Sequence, residues 1–176
     1  MAAATALAAD EPFGVLDIAL GASYSRLERQ LGFRDINTSL AGTQAGKLDL
    51  GPRGYGCMKR DDPFADVGCV SHEEKLDGVE TREIRLHFIF GRLQQFSVTA
   101  ELQYFEAVIG HLRARYGEPQ QVSSTAPDVA PGAEWQNESG RIVVYRGKNL
   151  VFVNFELASY ADAVKRKRAG TSVECN

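Results

Sequence analysis

The sequence predicts an α+β domain, an antiparallel sheet built from hairpins with helices packed on one face. Three observations lead there. Two segments, 23–32 and 101–119, carry apolar residues at helical spacing and meet stop glycines at Gly32 and Gly117; glycine ends a helix because it enters the left-handed region without a Cβ penalty. From Thr81 the apolar period drops to two, the spacing of a strand with one buried face. Later strand-like segments are joined by turns such as Glu138-Ser139-Gly140 and Gly147-Lys148-Asn149, too short for the crossover that a parallel pair needs.

Taken in order, Phe13 to Leu20 is apolar and ends at Gly21, as a strand or an extended lead-in. Ser23 or Ser25 can cap the first helix, and Ser25 with Glu28 has capping-box spacing. Leu27 and Leu31 form its apolar stripe. Residues 34 to 56 are rich in glycine, lack a period and read as mostly loop. A short strand is expected through Tyr55 to Lys59. Ile84, Leu86, Phe88 and Phe90 then alternate with Glu83, Arg85, His87 and Ile89, and Gly91-Arg92 turns into a return strand carrying Phe96 and Val98. Thr99 stands ready to cap the second helix, whose face is Phe105, Val108, Ile109, Leu112 and Tyr116 and whose end is Gly117 and Pro119. Residues 118 to 132 read as a polar linker. Trp135 opens a three-strand meander through Ile142–Tyr145 and Leu150–Leu157, rich in β-branched and aromatic residues. Ala158 to Ala169 reads as a last helix with a basic end, Lys165 to Arg168. The stop glycines suggest two repeated α-β-β units, offset by about 85 residues. The expected organisation is a signal-peptide remnant or disordered leader (1–12), one domain (13–170, with halves 13–100 and 101–170) and a tail (171–176).

At 176 residues with 44% hydrophobic and 24% charged residues, the chain can bury a core and is not compositionally disordered. A net charge of −3 lacks the basic footprint of a nucleic-acid binder. No apolar run is long enough to cross a bilayer. The small residues Ala2 to Ala9 resemble the cleavage region of a secretory signal without its charged start and apolar core. They read as a trimmed signal, or else as an alanine-rich leader. Cys57 and Cys69 flank a turn-rich stretch. In an oxidising compartment such a pair closes a disulfide worth about 2–3 kcal/mol; otherwise they are two separate thiols. The export reading places the protein in the periplasm or outside the cell. Cys175 is left over, free or pairing between chains.

No catalytic, cofactor-binding or metal-binding motif emerges, so a non-enzyme without a cofactor is expected. Ala41 to Leu48 brushes against a phosphate-binding loop, but Ala41 replaces its first glycine and Leu48 its magnesium ligand. His72-Glu73-Glu74 lacks the second histidine of a zinc protease helix. Gly21 to Ser25 lacks the closing glycine of a nucleophile elbow. Cys57 could act as a nucleophile with His72 or His87 only if no disulfide consumed it. The partner-binding candidates are Asp61, Asp62, Phe64 and Asp66 between the cysteines, with Arg85 and His87 on the polar side of a strand. Phe64 is either an exposed anchor on a rigid acidic loop or a core residue with the aspartates making turn contacts. The basic end of the last helix suits a helix C-terminus, or an anionic lipid or acidic partner.

The capped helix ending in Leu-Gly or Tyr-Gly-Glu-Pro, and the hairpin with a Phe-Gly-Arg-Leu turn, occupy segments 20–32, 81–99 and 101–119. With the 135–157 meander, this pattern resembles small exported proteins of the β-lactamase-inhibitor-protein-like and SmpA/OmlA-like type. The resemblance spans about half the chain and lies in motifs that encode fold. It implies protein binding, either enzyme inhibition through loops and a concave sheet or scaffolding at the outer membrane. No lipidation cysteine follows the N-terminal segment, so the anchor of the lipoprotein members is not implied. The expectation is an exported protein-interaction module, such as an inhibitor, immunity-type or envelope-assembly factor, whose partner is another protein. The alternative is a small-molecule binder or unrecognised hydrolase using Arg85, His87 and Tyr145 on the polar sheet face.

Overall fold

A computed structural model describes residues 13–15, 18–36, 54–72, 75–76, 78–122 and 130–170. The leader, the 41–48 segment, Glu73-Glu74 and the tail with Cys175 lie outside the described residues. Among the described residues, no helix is long and apolar enough to cross a membrane.

The fold class is the α+β antiparallel architecture that the alternation implies. A small hairpin, β1 (Gly14–Val15) and β2 (Ile18–Ala19), leads into α1 (Tyr24–Leu31). Next come β3 (Arg34–Asp35), β4 (Gly56–Asp62), β5 (Ala65–Ser71), β6 (Lys75–Leu76), β7 (Val79–Ile89) and β8 (Arg92–Glu101). A 3-10 turn at Leu102–Tyr104 opens α2 (Phe105–Tyr116). The second half continues with β9 (Gln120–Val122), β10 (Ala130–Asn137), β11 (Gly140–Arg146), β12 (Leu150–Leu157) and α3 (Tyr160–Arg168). The main sheet runs β3-β4-β5-β7-β8-β12-β11-β10-β9, with β6 also on β7. Every pair is antiparallel except β3 with β4. Each half gives a helix and then a meander, and the halves meet at β8 and β12. They differ in detail: only the first carries a parallel edge strand and the short β6.

One sheet face holds the core. Ile84, Leu86 and Phe88 of β7, Phe96 and Val98 of β8, and Val153 and Phe155 of β12 are buried there against Leu27 and Leu31 of α1 and Val108, Ile109 and Leu112 of α2. Phe96 and Phe155 stack across the seam between the halves at 4.2 Å. Ser23, not Ser25, caps α1: its Oγ accepts from the Arg26 N–H at 3.3 Å. Gly32 ends that helix at φ 64°, the left-handed cap expected of it.

Four local readings change. The turn-rich stretch between the cysteines is itself a β4–β5 hairpin, turning at Pro63-Phe64. Thr99 is not a helix cap; it pairs with Glu83 and Phe152 inside the sheet, and α2 starts without a side-chain cap. The β7–β8 turn is Phe90-Gly91, both at positive φ (52° and 69°), so Phe90 leaves the alternation. Part of the 118–132 linker, Gln120–Val122, pairs with β10 as an edge strand.

The third helix sits apart from the first two. Ala163 and Val164 bury themselves against Ile89, with Phe90 and Tyr160 alongside, in a cluster separate from the main core. Ile89 and Phe88 are adjacent and both fully buried, so their side chains leave opposite faces of the strand. Hence α3 covers the end of the face that α1 and α2 leave open. Its basic turn is pinned there. Lys167 Nζ pairs with Asp66 at 2.6 Å and donates to the Ala65 carbonyl, while Arg166 and Arg168 lie over the rings of Phe90 and Phe64.

Candidate binding groove on the open sheet face

Register determines which side chains share the open face. Cys57 is opposite Cys69, and Cys69 is opposite Leu86; these three side chains enter the core. The neighbouring rows therefore face outward. One row runs Met58–Gly68–His87 and the next Gly56–Val70–Arg85. Gly68 has no side chain to fill the space between Met58 and His87, and Gly56 leaves the adjoining row low as well. The result is an open groove of about 310 Å³, lined by these residues together with Arg60, His72 and Glu83.

Arg60 lies flat across Gly68. A Cβ added at Gly68 would meet Arg60 Cδ at 2.7 Å, so the missing side chain is what admits the arginine stem. Arg60 Nε donates to Asp62 at 2.5 Å. Asp62 Oδ1 in turn accepts the N–H groups of Phe64 and Ala65, closing the hairpin tip. Burial alone would raise the Asp62 carboxyl, but Arg60 and these N–H donors outweigh it and hold it below its ordinary value. On β7, Arg85 grips Glu83 with Nε and Nη2 at 2.5 and 3.1 Å.

His87 is the half-buried histidine of the groove. Its Nδ1 is inaccessible and has no hydrogen-bond partner among the described residues. Burial first, then the charges of Arg60 and Arg85, push its pKa below the ordinary histidine value, against a smaller opposing pull from Asp62. The ring is therefore neutral at pH 7. An unpaired buried N–H is costly, which favours the tautomer with a bare lone pair on Nδ1 and the proton on Nε2.

The sequence-based candidates divide. Arg85 and His87 come together in the groove. Asp62 supports it through Arg60. Asp61 is exposed beside the tip. Phe64 is 46% exposed at the hairpin turn, with the Arg168 guanidinium 5.3 Å from its ring centre. Asp66 is engaged by Lys167 and by the Phe90 N–H. Cys57 and Cys69 form a disulfide, which removes Cys57 as a nucleophile; it also faces the core, across the sheet from His87. Tyr145 shares the open face but stands three strands from β7, roughly 14 Å away, and does not reach the groove. Sequence reasoning missed Arg60, Gly68, Met58 and Val70. The signal that finds them is the cysteine pairing, which sets the hairpin register.

No family model matches the chain, and no curated relative does. A solved structure similar to it, a GTP binding regulator from Thermotoga maritima, is 15% identical and covers 55% of this chain and 69% of that one, with a TM-score of 0.36. A likeness that distant carries no argument about fold or function.

Proposed function

We propose that the chain is an exported protein-interaction module, of the inhibitor, immunity or envelope-assembly kind, that docks a partner protein on the open sheet face. The observation that carries this reading is the helix arrangement. Both α1 and α2 lie behind the sheet, and α3 covers one end of the front, so Arg85, His87, Ser97, Asn154 and Phe152 present one continuous surface. Phe152 is 37% exposed there. A large apolar side chain among arginines and hydrogen-bonding groups is the composition of a protein interface. The partner's matching surface is acidic, to meet Arg60 and Arg85. The disulfide supports export, because such bonds persist in oxidising compartments.

A photo-crosslinking residue at Ser97, at the centre of that face, tests the reading against one at the exposed Glu106 on α2. In a periplasmic extract, Ser97 should capture a discrete protein that Glu106 does not, and Arg85→Glu should abolish the capture. Equal labelling from both positions, or none from Ser97, overturns it. Among the described residues, Cys57 is tied up in the disulfide and Tyr145 stands three strands from His87, so neither supports the hydrolase alternative.

A further inference from the structure

We propose that the groove is a carboxylate site, with Arg60 and Arg85 gripping the anion, His87 as a third donor, and Met58 and Val70 walling the carbon next to it. Four observations converge on it. Among the described residues, Arg60 spends only its Nε, on Asp62, which leaves both terminal nitrogens of a fork shaped for a planar anion. Its stem lies directly over Gly68, in the space that a side chain there would fill. Arg85 spends Nε and Nη2 on Glu83 and, among the described residues, keeps Nη1. His87 Nδ1 has no hydrogen-bond partner among the described residues, which favours the tautomer with the proton on Nε2, free to donate.

The charge balance chooses the class of anion. Each arginine already has a carboxylate beside it, Asp62 or Glu83. A phosphate dianion would meet the repulsion of both, whereas a monoanion adds one charge to two guanidiniums. The apolar flank of Met58 and Val70 suits a carboxylate on a short hydrocarbon stem, which a free carboxylic acid or a glutamate side chain of a partner would supply. The site deepens the interaction reading by naming what enters the groove, yet its geometry holds whether or not a protein delivers the carboxylate.

The test uses the oxidised protein, with nuclear magnetic resonance of the His87 ring and the arginine Nε groups. Titrant arms are butyrate, a capped Ala-Glu-Ala peptide and inorganic phosphate. Saturable shifts of His87 with butyrate or the peptide, at least about fivefold tighter than with phosphate, are expected. Arg60→Gln and Arg85→Gln should each weaken binding about tenfold. Gly68→Ala, which displaces the Arg60 stem, should weaken it without touching a donor. An unchanged backbone spectrum confirms that each variant is folded. Tighter binding of the peptide identifies a partner side chain as the source, and tighter binding of butyrate a free acid. Unmoved His87 signals, equal binding of phosphate, or variants that bind like the wild type overturn the site. If Ser97 still crosslinks a partner while these titrations fail, the interaction module stands without a carboxylate pocket.

Discussion

At Gly140 a side chain has nowhere to go. An added Cβ would lie 2.2 Å from the Glu156 carbonyl oxygen, which belongs to the neighbouring central strand. Backbone in mid-sheet cannot retreat as a flexible side chain can. Gly140→Ala is therefore expected to cost about 2–4 kcal/mol, read as a lowered urea midpoint with an unchanged slope. His87 poses a different residue-scale question, because its folded pKa lies below the unfolded one. The groups that face it are Arg60 and Asp62 from β4, Arg85 and Glu83 from β7, and His72 at the end of β5. With the folded state binding fewer protons, stability is fully present above the unfolded pKa. It is lost as pH falls from about 6.5 toward the folded value. Urea unfolding between about pH 5 and 8 should show stability rising with pH in the wild type. His87→Gln should flatten that rise, and an equal slope in the variant would place its origin elsewhere.

Among the elements, the β4–β5 hairpin depends most on a covalent tie. Cys57 and Cys69 are directly opposed in the register, 4.0 Å between Cα atoms, and their sulfurs are buried in the core. Beyond them toward the tip, Lys59, Arg60 and Asp61 are exposed, so little apolar burial holds the outer part of the hairpin. The Cys57→Ala/Cys69→Ala double variant should lose about 2–3 kcal/mol. Hydrogen exchange should rise in β4 and β5 ahead of β10 and β11; a uniform rise would show that the bond supports the whole sheet equally. This hairpin also marks where sequence reading ran out. In β7 and β12 the core lies along one full face, so the period of two is written in the residues and the strand limits come out well. In β4 the outer residues Lys59 to Asp61 are exposed, and β5 is only half-buried between Ala65 and Cys69, so the alternation fades and a pair of strands reads as a turn-rich loop. The groove shared that fate. Arg85 and His87 were legible because they alternate with Ile84 and Leu86, whereas Arg60 and Gly68 acquire meaning only once β4 and β5 are in register. The pairing of Asp66 with Lys167 crosses most of the chain and has no local signature at all.

At the scale of the whole molecule, the decisive contact is the seam between the halves. Strand β8 ends the first meander and β12 ends the second, and they pair from Glu101 opposite Leu150 to Gln95 opposite Glu156. Neither half can close its core alone. Phe96 would lose the stacked Phe155 ring, and both rings are fully buried. The small β1–β2 hairpin adds a second cross-tie, since the Tyr116 hydroxyl of α2 donates to the Gly14 carbonyl and accepts the Gly14 N–H. A shared core predicts one cooperative unit, not two folding in sequence. Trp135, the only tryptophan of the chain, is buried in the second half, so its fluorescence reports on that half while far-ultraviolet circular dichroism reports on both. The two signals should trace the same urea transition in the wild type. Phe155→Ala, which removes half of the seam stack, should cost about 3–5 kcal/mol and shift both signals together. A fluorescence transition that moved while the circular dichroism retained an unshifted component would mean that the first half holds its structure without the second, and the single-core reading would fall.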